Sequence, residues 1–462
     1  MLHVNFYVFH FYHQAKLLSR QQTDDNMLPI NVTNTTGTCL HHLNEYCLLD
    51  IFSSNSLTLL DLCSLAETCR DFQRITKRVF SRELKMVVGP HARRYSFQAK
   101  NYSIRSKAAK DIRRILKNFG SYLTELKISR NDPIVTDSVI KYCRAGTLGR
   151  INICGKSGKK MIEDLTVKFE AIFKRLLALS FNGLYTKYQL GDTSVQLYCD
   201  SLLELKVINV NADAYRSILN NNFPKLVRFE LMISNFDVTH ALIEFIGRHK
   251  SLRSLFLCVK SICIHDDLMV AIGNNCKDMQ VLTLFSSELE NFISLDLSKL
   301  HCLTKLRTLD VACCLQNQIQ LVALLKALKS LEIVIMWHIV LTFEMVDALS
   351  QSQKLRELHL VGFIVKIPPW TILTQLKKLH LDNAQGQLCA ADVIDIVSRL
   401  VNLEELTIIN RSESDELTEK VYSEIVNIVE RRPNVLTLKS NFRQNFLENC
   451  DVNRKVQLIN FI

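Results

Sequence analysis

The chain has 462 residues, 48% of them hydrophobic and 22% charged, with only 7 Pro and 13 Gly. Those proportions exclude collagen-like and low-complexity chains and describe a folded chain that is regular over most of its length. The net charge of +11 is concentrated, with seventeen Lys/Arg against four acids between Arg70 and Arg130 and the remainder close to neutral.

Residues 1–38 read as a disordered, polar lead-in with an apolar tip, MLHVNFYVFHFYHQA. The tip is too short for a membrane span. It lacks the basic start and small-residue cleavage site of a signal peptide. No later apolar run approaches spanning length, so no membrane partner is expected. Fifteen Cys occur without a C-x-x-C pair, which fits reduced thiols in the cytosol or nucleus. Cys39, His41, His42 and Cys47 lie close together, but their spacing matches no usual zinc pattern, and neither a metal nor a cofactor is expected.

The first organised stretch is Leu43–Phe72, LNEYCLLDIFSSNSLTLLDLCSLAETCRDF. Leu48, Leu49, Ile51 and Phe52 suit a short helix, and a polar break follows at Ser53–Ser56. Leu59, Leu60, Leu62, Cys63, Leu65, Ala66 and Cys69 then recur at helical spacing. A third helix over Arg70–Phe80 places Phe72, Ile75 and Val79 on one face. Three helices this short barely bury a core alone, so their surplus apolar positions point to docking on another protein. The pattern resembles an F-box: Leu43, Glu45, Leu48, Ile51, Phe52, Asp61, Leu62, Cys69, Arg70 and Phe72 match it, and LNEYCLLDIF is close to a form common in insect members. Asn44 stands where Pro is usual, Phe72 where Trp is frequent, and the serine-rich break is about two residues longer than usual. The resemblance implies a module over 39–82 that binds the Skp adaptor, and through it a cullin and a RING subunit. Leu43, Leu48, Ile51, Phe52, Leu60 and Leu62 would bear that contact. The plainer alternative is a helical module that only caps the C-terminal remainder of the chain.

Residues 83–120 are expected to be a basic helical linker or cap. A basic patch attracts nucleic acid or acidic protein, and Arg93, Arg94, Arg113 and Arg114 are the candidates for gripping phosphorylated or acidic side chains. A solvated helical surface accounts for the same charges.

From Leu123 to Val435 the hexapeptide L-x-x-L-x-L, with apolar swaps, recurs thirteen times at a mean step of 26 residues; examples are LTELKI at Leu123, LLELKV at Leu202, LRSLFL at Leu252 and LRELHL at Leu355. Alternation in a strand turns positions four and six into one core. Helical patterns lie between the strands, as at Asp237–His249, Asp266–Cys276, Ile319–Ser330 and Ala390–Asn402, with Asp237 and Asp266 suited to N-caps. Such units resemble leucine-rich repeats of the longer type, although the family's Asn or Cys beyond the hexapeptide is mostly replaced, for example by Lys156, Val210 and Phe363. The fold implied is α/β: a short all-helical F-box, then a leucine-rich-repeat solenoid over 121–440, a horseshoe with parallel strands inside and helices outside. Residues 441–462 form a C-terminal cap or tail.

Positions three, five and seven of each unit then face outward. They are charged in the early units (Glu125, Lys127, Arg150) and late units (Glu357, His359, Lys378), but apolar in the middle. Large apolar residues clustered on a surface mark an interface, so Met232, Phe256, Phe285, Ile335 and Trp337 are the candidate centre of a partner site. The competing reading sets the weak unit LEIVIM out of phase, which buries Ile333, Ile335 and Trp337. There is no P-loop, G-x-G-x-x-G, H-E-x-x-H or nucleophile elbow, so no catalytic residue is expected. F-box proteins with leucine-rich repeats are substrate receptors of SCF ubiquitin ligases. The resemblance therefore implies a non-catalytic, cytoplasmic or nuclear receptor that holds an unknown protein substrate for ubiquitination. The alternatives are a repeat scaffold without ligase docking, or nucleic-acid binding through residues 70–130.

Overall fold

A computed structural model describes residues 43–54, 57–80, 83–89, 95–99, 102–106, 108–130, 132–143, 147–154, 167–183, 196–233, 237, 239–259, 266–286, 296–312, 318–362, 364–365, 370–383, 390–410, 419–440 and 455–460. The lead-in 1–38, Arg93, Arg94 and most of 441–462 lie outside them. The chain forms two compact units that divide between Leu176 and Leu177.

The first unit begins with three helices, α1 (Glu45–Phe52), α2 (Leu59–Thr68) and α3 (Arg70–Val79). Each start is fixed by a local cap. Asn44 Oδ1 accepts from the Cys47 N–H at 2.9 Å. Thr58 and Asp61 cap each other reciprocally, and Cys69 Sγ accepts from the Phe72 N–H. Three strands come next, β1 (Leu84–Val88), β2 (Tyr95–Ala99) and β3 (Tyr102–Ser106), and only then a helix, α4 (Ala109–Phe119). This corrects the helical reading of 83–120. Leu84, Met86 and Val88 alternate with Lys85 and Val87, and Tyr95, Phe97 and Ala99 with Ser96 and Gln98; the first set of each strand is buried. A period of two on short segments is a strand signal, and the density of basic residues masks it. β1 pairs antiparallel with β2, and β2 with β3. β1 also pairs in parallel with β4 (Leu123–Ile128), which pairs in parallel with β5 (Arg150–Cys154). Helix α5 (Pro133–Tyr142) joins β4 to β5.

The second unit is a run of parallel strands: β6 (Ala178–Asn182), β7 (Glu204–Ile208), β8 (Arg228–Ile233), β9 (Ser254–Val259), β10 (Val281–Ser286), β11 (Thr308–Ala312), β12 (Ile333–Trp337), β13 (Glu357–Val361), β14 (Lys378–Asn383), β15 (Glu405–Asn410), β16 (Leu436–Ser440) and β17 (Val456–Asn460). Position four of each unit stands beside position four of the next without slippage: Leu205, Phe229, Leu255, Leu282, Leu309 and Val334 form one such row. All six are fully buried. Between strands lie helices α6 (Ala212–Leu219), α7 (Thr239–Arg248), α8 (Asp266–Asn275), α9 (Gln318–Ala327), α10 (Phe343–Ser350), α11 (Ala390–Arg399) and α12 (Glu419–Glu430). Asp237 Oδ1 accepts from the Thr239 N–H at 2.8 Å, as a helix-start residue should. Asp266 is already the first residue of its helix.

Among the described residues, the chain leaves four of these strands through a left-handed residue at the same place in the repeat, position eight: Gly183, Asn209, His338 and Gly362. Their N–H groups donate to position seven of the following unit, the carbonyls of Ile208, Met232, Val361 and Asp382, at 2.7–3.0 Å. After Asn209 and His338 the turn drops Val210 and Ile339 into the core. A backbone ladder thus satisfies the turn where a side-chain Asn or Cys is missing, and an apolar residue fills the vacated position.

Candidate functional site

In the helical module, Leu48, Phe52, Phe72 and Ile75 form one buried cluster. Phe52 meets Phe72 edge-on at 5.2 Å between centroids. Of the six residues expected to contact an adaptor, Leu48, Phe52 and Leu62 point inward and are at most 5% exposed. Leu43, Ile51 and Leu60 are partly exposed. The first three therefore hold the module together. On helices of two to three turns the apolar residues occupy most of the circumference, so periodicity alone does not separate core from contact. Sequence reasoning passes over Tyr46, which is 80% exposed on α1.

The basic segment is partly neutralised within its own unit. Glu45 pairs with Arg74 at 3.2 Å and with Arg78. Arg114 Nε donates to Glu67 Oε2 at 2.7 Å, and its NH2 group donates to Ser64 Oγ at 2.9 Å. This bond to Glu67 holds the guanidinium above its usual range. Arg114 thereby ties α4 to α2 and is spent on structure, whereas Arg113 is exposed.

The middle of the strand array carries the second candidate surface. Met232, Phe256, Phe285, Ile335 and Trp337 are all partly exposed, and their sequence neighbours Leu231, Leu255, Leu257, Leu284, Val334 and Met336 are buried. The unit LEIVIM is thus in the same phase as the others, and Ile335 and Trp337 lie outward. Strand register brings the five together in two rows. Phe256 stands beside Thr283, and Asp310 beside Ile335. Met232 stands beside Cys258, Cys258 beside Phe285, and Ala312 beside Trp337. Phe285 and Trp337 meet edge-on at 5.5 Å.

One residue at the centre does not stand out from sequence. Asp310 accepts a hydrogen bond from Trp337 Nε1 at 2.9 Å. Burial raises its carboxyl above the usual range, against the opposing pull of hydrogen bonds from Trp337 and Thr283. Tabulating position five across the repeats finds it, because Asp310 interrupts an uncharged stretch. Beyond it, His359 and His380 stack at 5.0 Å, and His359 Nε2 lies 2.6 Å from Glu357 Oε1. Burial lowers the His380 pKa. Among the described residues no group of three or more His, Cys, Asp or Glu is placed to hold a metal ion. Nor is any described helix long and apolar enough to cross a membrane.

No family model matches the chain. No curated protein sequence is similar to it. Among solved structures, the chain is similar to one in the crystal structure of the Rad7 and Elc1 complex in yeast, at 12% identity over 90% of this chain and 93% of that one, with a TM-score of 0.42.

Proposed function

We propose that the chain is the substrate-recognition subunit of an SCF-type ubiquitin ligase, its F-box-like helices binding a Skp adaptor and its leucine-rich repeats binding a protein substrate. The observation that carries this reading is the partly exposed apolar row from Met232 to Trp337, set in parallel repeats and borne by a chain that also holds a capped three-helix module with apolar residues at its margin. Such a receptor does no chemistry. It raises the effective concentration of a substrate near a ubiquitin-charged enzyme.

The test is affinity capture of the full chain with ubiquitin-dependent degradation blocked. Substituting Ile51→Arg with Leu60→Arg keeps the four buried residues of the cluster but removes Ile51 from its margin, so a modest drop in melting temperature is expected while adaptor and cullin are lost. Substituting Phe256→Glu with Phe285→Glu is expected to have the opposite pattern, keeping the adaptor and losing the substrate. Retention of the adaptor by a folded Ile51/Leu60 variant sinks the ligase reading and leaves a repeat scaffold.

A further inference from the structure

Along β9, β10, β11 and β12 the outward positions run Ser254, Phe256, Cys258; Val281, Thr283, Phe285; Thr308, Asp310, Ala312; and Ile333, Ile335, Trp337. Asp310 is the sole charged side chain in that block. Elsewhere on the same face of the second unit, each described Lys or Arg at an outward strand position pairs with a glutamate: Lys206 with Glu230, Arg228 with Glu204, Lys378 with Glu357 and Lys439 with Glu405. Asp310 takes its hydrogen bonds from an indole and a hydroxyl, both uncharged. Its carboxylate also feels the His359 ring, which stands beside Ile335 on the next strand, but no lysine or arginine occupies this block, and a full cation brought to a carboxylate in so apolar a surround gains more there than in water. The donors also fix its position, since Trp337 is itself braced by Phe285.

We propose that this site takes the cationic side chain of an arginine or lysine presented by the protein partner that docks on this face. The proposal rests on the substrate-receptor reading for the partner being a protein, and adds what that partner must present. The aliphatic stem of such a side chain would lie on Phe256 and Ile335, with the charged head at Asp310. The faces of the Phe285 and Trp337 rings, where the π-electron density lies, would attract the cation. An acidic or phosphorylated segment is disfavoured at this point, because it would meet Asp310 with like charge.

Trp337 reports on the site directly, and the chain's other tryptophan, Trp370, is buried. The experiment titrates the full-length Trp370→Phe protein with three degenerate nonapeptide pools, identical except for a central arginine, citrulline or glutamate, and follows Trp337 emission. The arginine pool is expected to bind at least ten-fold more tightly than the citrulline pool, with the glutamate pool weakest. Asp310→Asn, checked for unchanged melting, should bring arginine and citrulline pools together. Equal binding of those two pools by the unsubstituted site, absence of binding by any pool, or an arginine preference that survives in Asp310→Asn overturns the proposal. Concentration-dependent dimers that Asp310→Asn abolishes would instead make a second copy of the chain the occupant, and would overturn it also. If the pools fail while Phe256→Glu with Phe285→Glu still loses captured substrates, the receptor reading stands and only the cation falls.

Discussion

At the scale of single residues, His249 shows how a repeat array stores pH sensitivity in its core. Its ring is buried, with Nδ1 2.6 Å from the Phe245 carbonyl and Nε2 2.9 Å from the Phe223 N–H. A carbonyl can only accept and an N–H can only donate, so the ring must be the neutral Nδ1–H tautomer. Burial lowers its pKa to about 4, outweighing the carbonyl contact that favours the charged form. The unfolded chain takes up a proton as pH falls through about 6.5, whereas the folded chain does so only near 4. The stability that this site contributes is therefore complete above about 6.5 and is lost progressively as pH falls toward 4, by up to about 3 kcal/mol. Urea titrations at pH 7.5 and pH 5 should show that loss. His249→Gln, which retains an acceptor for Phe223, should remove most of this pH dependence while lowering stability at pH 7.5 by about 1–3 kcal/mol. Gly273 is constrained sterically instead. A Cβ there would lie 2.3 Å from the Lys299 carbonyl oxygen, on the short 3-10 turn Leu297–Cys302 that packs against α8. The backbone cannot yield locally without moving the helix, so Gly273→Ala is expected to destabilise by about 1–3 kcal/mol in a thermal melt, despite alanine's better helix propensity.

At the scale of elements, what the sequence discloses depends on how often a pattern is repeated. The strands of the array are legible because the hexapeptide recurs and each copy corrects its neighbours; even LEIVIM keeps phase, with Val334 and Met336 buried and Ile335 and Trp337 outward. Strands β1–β3 escape such a reading because each is five residues long, unrepeated and crowded by lysine and arginine. The same limit separates the two candidate surfaces. On the strand face, alternation assigns inward and outward directly. On helices α1 and α2 it leaves Leu48, Phe52 and Leu62 looking like contacts when they form the interior. The module can be tested at this scale through its capping box, in which Thr58 Oγ1 and Asp61 serve each other's backbone N–H. Thr58→Ala should cost about 0.5–2 kcal/mol. In hydrogen exchange the loss should fall first on the opening turn of α2, with helices α7 and α8 unchanged; a uniform loss across both would contradict the module's local construction.

At the scale of the whole array, stability is carried between neighbours. Among the described residues, successive strands of the second unit pair each with the one before and the one after, in unbroken parallel register from β6 to β17. The turn ladder at position eight has the same reach, linking a unit to the next and no further. Energy in such a chain is a sum of unit terms and nearest-neighbour terms, so damage should spread by distance along the array. Leu309→Asp in β11 places an unpaired carboxylate in the buried row between Leu282 and Val334. Hydrogen exchange should then show the largest loss of protection in β10, β11 and β12, less in β9 and β13, and little in β7 or β16. Equal loss throughout would mean that the unit unfolds all at once and that the pairing does not set its cooperativity. Function is affected too, because the weakened strands carry Phe285, Asp310, Ile335 and Trp337. A surface assembled from separate repeats keeps its geometry only while each contributing repeat is supported on both sides. Partner binding by Leu309→Asp should therefore fail at temperatures well below the loss of overall secondary structure, a gap readable by comparing peptide-pool binding with circular dichroism across one melt.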